Sequence, residues 1–318
     1  MARRGLIGLA AGALLATAVA VAPSALAGAR ARAAAPEMTI VRGIAGPEGP
    51  LVVDGTLYFV GFNDNALWRW DGHRKTAIHR DAKCGHSGLA LTPRKTFLLA
   101  CTDAILELSL DGKVLRSWDT DDKGGKLAGG VNDIVVAPNG SAYATLYGPY
   151  EGLAAPGELI GKVLYLAPGA AAWREVAGEL NYANGVGVSP DGATLYVSQT
   201  VTGSILKFRI EPDGTLSHRS NFALLDRLVQ PRGRSPWLGP DSLKIAQNGD
   251  LYVAQFFGGR VLKLSPQGKL LHVFNISAGD GTTNLAFDAG EKHLYVSVVK
   301  NAADPKALGA IVRVDNVR

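Results

Sequence analysis

The chain has 318 residues, 47% hydrophobic and 19% charged, with a formal net charge of +5. This apolar content excludes intrinsic disorder, 39 Gly and 16 Pro exclude a coiled coil, and no basic run marks a nucleic-acid surface. The composition fits many short strands joined by tight turns.

The N-terminus reads as an export signal. Arg3 and Arg4 precede an uncharged apolar run from Leu6 to Val21, and Ala25-Leu26-Ala27 supplies an A-x-A cleavage site. The expected organisation is a signal peptide over 1–27, a linker over 28–39 and one domain over 40–318. The expected destination is periplasmic or extracellular, by the general or the twin-arginine route. Loss of Arg3 and Arg4 lowers the net charge from +5 to +3. No later segment is apolar enough to span a bilayer.

The two cysteines, Cys84 and Cys101, flank a predicted hairpin of strands 88–91 and 96–101 around Thr92-Pro93-Arg94-Lys95. Export permits a disulfide between them; two separate thiols fit the sequence equally well.

From residue 51 onward one unit recurs six times. Its strand pairs read LVVDGTLYFV, LALTPRKTFLLAC, IVVAPNGSAYAT, VGVSPDGATLYVS, LKIAQNGDLYVA and LAFDAGEKHLYVS. Tyr58, Leu98, Tyr143, Tyr196, Tyr252 and Tyr295 align, at spacings of 40, 45, 53, 56 and 43 residues. Asn-Gly and Asp-Gly make the turns, because both tolerate positive φ. Further short strands follow each pair, such as ALWRWDG, AILELSLDG and RVLKLSPQG. Four strands per unit at this period predict an all-β fold, a six-bladed β-propeller. Longer insertions at 146–160 and 215–238 read either as surface decoration or as a rim over one mouth of the channel.

Ten to twelve residues before each aligned position stand Glu48, Ser87, Asn132, Asn184, Asp241 and Asn284. The reading places them just ahead of the innermost strands, whose starts converge at one end of the channel. Glu48, Asn132, Asn184 and Asp241 would then form an all-oxygen set of formal charge −2. Such a set suits one divalent cation, Ca²⁺ first, with Mg²⁺, Mn²⁺ or Zn²⁺ as alternatives. Taken singly, each of these residues except Glu48 also fits ordinary turn chemistry.

With these residues the chain resembles the SMP-30/gluconolactonase/luciferin-regenerating enzyme family. The motifs are GPEGPLVVDGTLYFV, VNDIVVAPNGSAYAT, YANGVGVSPDGATLYV and GPDSLKIAQNGDLYVAQFFGGRV, within a resemblance spanning about residues 40–316. The resemblance implies a six-bladed propeller with one divalent metal in its central channel. It implies Glu48, Asn184 and Asp241 as metal ligands, and Asn132 at the substrate or a metal-bound water. Some members carry Arg two residues before the Asn matched by Asn132; this chain has Gly130 there. In the second repeat His86 stands either at the substrate or in a loop, with its ring bonded to backbone.

The chemistry expected is hydrolysis of a small-molecule lactone or related ester. The metal would polarise the carbonyl and activate water, and Asp241 would act as the base. Competing motifs are missing: Gly85-His86-Ser87-Gly88 lacks G-x-S-x-G spacing, and the EF-hand-like run from Asp119 to Gly124 has Gly130 where the closing Glu belongs. Two other readings stay open. One is a non-catalytic propeller that binds a ligand or partner around a structural metal, and the other is a strictosidine-synthase-like propeller.

Overall fold

The structure is a computed structural model that describes residues 37–127, 129–148, 159–315 and 317. The expected signal, most of the expected linker and most of the first insertion lie outside the described residues.

Among the described residues, twenty-four strands form six four-stranded antiparallel sheets. Each of the six repeated strand pairs supplies the inner two strands of one sheet. The innermost strands are Pro47–Val53, Leu89–Leu91, Val131–Val136, Ala183–Val188, Gly239–Ile245 and Gly281–Phe287. They contact one another in sequence all the way round, the sixth touching the first. Six apolar clusters lie between successive blades, one for each junction. The chain is a six-bladed propeller, and its core sits between the blades rather than within a single sandwich.

The ring closes through the N-terminus. Strand Glu37–Ala45 pairs with Leu308–Asp315 as the outermost strand of the sixth blade. Residues 37–39, assigned to a linker on sequence, are therefore ladder residues. Their outer strand has no turn-linked partner nearby in the chain, so the repeat pattern does not reveal it.

The expected alignment holds for five blades and slips in the first. Leu98, Tyr143, Tyr196, Tyr252 and Tyr295 face equivalent residues of their neighbouring inner strands. Tyr58 faces Leu51 and sits one position further along; Leu57 holds the equivalent place. The cause is the shorter turn. Asp54 and Gly55, with φ of 48° and 79°, make a two-residue hairpin where other blades use longer connections.

Cys84 and Cys101 form a disulfide, with Cα atoms 4.6 Å apart. The bond ties the 81–87 loop to the second strand of blade 2. Closing a loop with a sequence separation of 17 stabilises the fold by about 3 kcal/mol. The EF-hand-like run is an acidic turn: Asp121 Oδ1 accepts the N–H groups of Lys123 and Gly125.

Candidate functional site

The site residues do not precede the inner strands, as the sequence reading has it. Glu48, Asn132, Asn184 and Asp241 lie inside them, near their starts. Each sits at a β-bulge. The register slips by one residue between Glu48 and Leu51, Val131 and Ile134, Ala183 and Val186, Pro240 and Leu243, and Thr282 and Leu285. A bulge sets two residues against one and re-aims a side chain. Repeated in five blades, it turns polar residues toward the axis while the rest of each strand keeps its apolar contacts. Ser87 precedes the short, unbulged inner strand of blade 2.

Hydroxyl groups fasten these bulges to their neighbours. Ser87 Oγ donates to Val131 O at 2.9 Å, Thr200 Oγ1 to Pro240 O at 2.8 Å, and Thr283 Oγ1 to Pro47 O at 2.7 Å. Thr145 Oγ1 donates to Asn184 O, and Thr282 Oγ1 to Gln255 O. Five of the six blade junctions thus carry a side-chain bond to the backbone at this end of the channel. Gly185 lets blades 4 and 5 approach: a Cβ there would strike the carbonyl oxygen of Asp241 and Cα of Ser242.

Glu48, Ser87, Asn132, Asn184 and Asp241 line one cavity of about 430 Å³. Asn184 and Asp241 are buried, while Glu48 and Asn132 are half-buried in the cavity lining. The Asn184 amide has a fixed orientation. Its Nδ2 donates to Thr200 Oγ1 at 3.0 Å, and that hydroxyl spends its own hydrogen on Pro240 O. Asn184 Oδ1 is left buried with no hydrogen-bond partner among the described residues. An acceptor held so, beside carboxylates, is a ready ligand for a cation.

The carboxyl groups point the same way. Desolvation inside the channel, and then the charge of Asp133, push the Glu48 pKa up to about 8, against bonds from Asn284, Gly49 and Thr283. Desolvation raises Asp241 well above the usual carboxylate range, with Glu48 and Asp133 adding to it and Asn184 and Ser242 opposing. Two such groups do not share a dry space as anions without a counter-charge. Among the described residues no three His, Cys, Asp or Glu side chains form a metal cluster. The set that fits a cation is two carboxylates and the neutral oxygen of Asn184, with Asn132 beside it; this is hard-cation chemistry.

His86 does not reach this cavity. It is fully buried, its Nδ1 lies 2.6 Å from Cys84 O, and its ring packs beside His79. Burial drives its pKa down to about 4. Of its two expected places the backbone-bonded loop holds and the substrate site does not: the disulfide loop draws the ring into the protein and leaves Ser87 at the cavity.

The sequence reading missed several neighbours. Asp133 Oδ2 accepts bonds from Ser242 Oγ at 2.6 Å and Lys244 Nζ at 3.3 Å, forming a buried network deeper in the channel. These residues stand one to three positions after Asn132 and Asp241, a spacing that could have flagged them. The second insertion delivers Trp237 to the cavity wall, as the rim reading expects.

A propeller whose bulged inner strands gather acidic and amide oxygens at one channel mouth belongs to a recognisable class. The profile of the SMP-30/gluconolactonase/LRE-like region matches residues 46–300, and the chain belongs to that family. A 6-deoxy-6-sulfogluconolactonase from Pseudomonas putida is 33% identical over 96 residues, 30% of this chain and 31% of that protein. Regucalcin from Oryctolagus cuniculus is 24% identical over 257 residues, 80% of this chain and 82% of the relative. A solved gluconolactonase structure from Xanthomonas campestris superposes with a TM-score of 0.71 at 24% identity, covering 88% of this chain and 89% of the other. That likeness establishes the shared fold. The match to the Pseudomonas protein spans about a third of its length.

Proposed function

We propose that the chain is an exported, metal-dependent hydrolase of lactones or related esters. The observation that carries this reading is the unpartnered Asn184 Oδ1 beside two carboxyl groups of raised pKa. Relatives named as lactonases support it. The signal-like segment over 1–27 and the Cys84–Cys101 disulfide support export, since disulfides persist in oxidising compartments.

Glu48, Asn184 and Asp241 would hold one divalent cation, calcium being the ion that best suits an all-oxygen set. Such a cation supplies Lewis acidity toward a carbonyl oxygen. The chain's own groups do the rest. Asn132 orients the ester at the cavity floor. Asp241 accepts a proton from the attacking water as its oxygen bonds to the carbonyl carbon. The acyl–oxygen bond then breaks, and the proton passes from Asp241 to the leaving alkoxide. Glu48 balances charge, and Thr200 holds the Asn184 amide in its orientation.

The test is a lactone and ester panel assayed with and without EDTA, beside Asp241→Asn. The expected result is hydrolysis that EDTA and the substitution each abolish, with calcium restoring the EDTA-treated wild type. Equal rates for wild type and variant on every substrate would remove the catalytic reading. Cation binding without any turnover would favour the non-catalytic propeller instead.

A further inference from the structure

The floor of the cavity is polar, but one side of its wall is aromatic. Phe62, Tyr147, Tyr182, Trp237, Phe256 and Phe257 all line it, in a chain only 7% aromatic. Tyr147 stacks on Tyr182 with centroids 4.9 Å apart and planes at 18°. Trp237 meets Tyr182 edge-on at 5.0 Å and 69°. Blades 3 to 5 therefore present a continuous aromatic face.

Two of these residues are held in a backbone conformation that bulky side chains avoid. Tyr182 has φ of 46° and Phe257 has φ of 58°. Strain of this kind persists where the surroundings fix it, and it concentrates at ligand sites. At Gly130 φ is 87° and a Cβ would clash with the Tyr147 ring. The tyrosine ring occupies the space into which a side chain there would have to grow.

Charge completes the pattern. No Lys, Arg or His lines the cavity among the described residues. With Glu48 and Asp241 committed to the cation, a lactone bearing a second anionic group, a carboxylate, sulfonate or phosphate, finds no basic side chain on the wall and meets Asp304 there. A sugar ring can stack on an aromatic face, but its hydroxyls then need partners around the ring edge. Asn63 and Asp304 lie in blades 1 and 6, across the ring from the stacked face.

Resting on the hydrolase reading, we propose that the site takes neutral lactones or esters carrying an apolar alkyl or aryl substituent. The ester group lies at the polar floor, and the substituent lies against Tyr147, Tyr182 and Trp237. Apolar burial against that face supplies affinity.

The test compares kcat/KM for δ-decalactone, unsubstituted δ-valerolactone and glucono-δ-lactone on the full chain with calcium. The order expected is decalactone first and gluconolactone last, with at least about 100-fold between them. Trp237→Ala and Tyr182→Ala should each raise KM for decalactone about 10-fold, more than they lower kcat. In parallel, calorimetry on Asp241→Asn measures binding of two hydrolysis-resistant lactams, one with a pentyl substituent and one polyhydroxylated. Tighter binding of the pentyl lactam with no turnover of any lactone would sink the hydrolase reading and keep the apolar site. Turnover with gluconolactone preferred, or wall variants that weaken all three lactones alike, would overturn the apolar site and keep the hydrolase. Failure of both turnover and lactam binding would overturn both.

Discussion

The two ends of the channel are built from the same six strands, yet they differ in kind. At the mouth, bulges turn Glu48, Asn132, Asn184 and Asp241 toward the axis, and hydroxyl groups pin the backbone that carries them. At the far end the same strands continue through Leu51, Leu89, Ile134, Val188, Ile245 and Phe287, which line a cavity of mainly apolar surface. Between them Asp133, Ser242 and Lys244 close a buried polar network. One register slip in each of five inner strands thus separates a stretch that packs from a stretch that gathers polar side chains. The mouth is costly, with unpartnered oxygen and crowded carboxyls; the far end is mainly apolar.

Substitutions on the two sides should separate activity from stability. The largest effect expected is at the mouth: Asp241→Asn should lower kcat/KM for the best lactone by roughly 10²–10⁴-fold, the range for a positioned base. Its metal-free melting temperature should hold or rise, because one of two crowded buried carboxyls is gone. A steep loss of melting temperature would contradict the account of crowding. Removing the disulfide by Cys84→Ser with Cys101→Ser should cost about 3 kcal/mol in urea unfolding, since it frees the loop that brings Ser87 to the mouth.

Smaller effects sharpen the contrast. Thr200→Val keeps the shape of the side chain but loses the hydroxyl that orients Asn184. Calcium affinity should fall about 10-fold, in line with other supporting partners of metal ligands. At the far end, Ile134→Val should cost about 1 kcal/mol of stability and leave kcat/KM within twofold.

The pH dependence separates the mouth from the disulfide loop buried beside it. A Glu48 pKa raised from 4.5 to about 8 means that the folded, metal-free chain binds more protons than the unfolded one between those values. That contribution to stability is complete below pH 4.5 and is lost as pH rises through 8. Calcium should therefore raise the melting temperature more at pH 8 than at pH 5. His86 acts in the opposite sense. Its pKa falls from 6.5 to about 4, so the unfolded chain takes up a proton first. Stability should decline as pH drops from 6.5 toward 4, and His86→Gln should blunt that decline in acid melts.

The blades were legible because each repeats its own turn chemistry; Asn139-Gly140, Asp191-Gly192 and Asn248-Gly249 mark hairpins without reference to anything distant. Glu48 and Asp241 were legible because carboxylates are scarce in this chain and recur at matched positions. The bulges were not, since a slip of one residue has meaning only against a partner strand. The closing strand Glu37–Ala45 pairs with residues almost the whole chain away. The sequence leaves His86 open between the substrate and a backbone-bonded loop, because proximity to Ser87 says nothing about which side of a loop faces the axis. The aromatic wall was hidden for a similar reason: Tyr147, Tyr182 and Trp237 come from three separate connections that only the ring brings together.

The central claim is that the mouth holds one divalent cation through Glu48, Asn184 and Asp241. Calorimetric titration of the EDTA-treated protein with calcium at pH 8 tests it most directly. The account predicts one site per chain in the wild type, weakened at least 10-fold by Glu48→Gln and by Asn184→Ala, with Ile134→Val unchanged. No binding of calcium, magnesium, manganese or zinc by the folded wild type, or binding that survives both mouth substitutions intact, would contradict it.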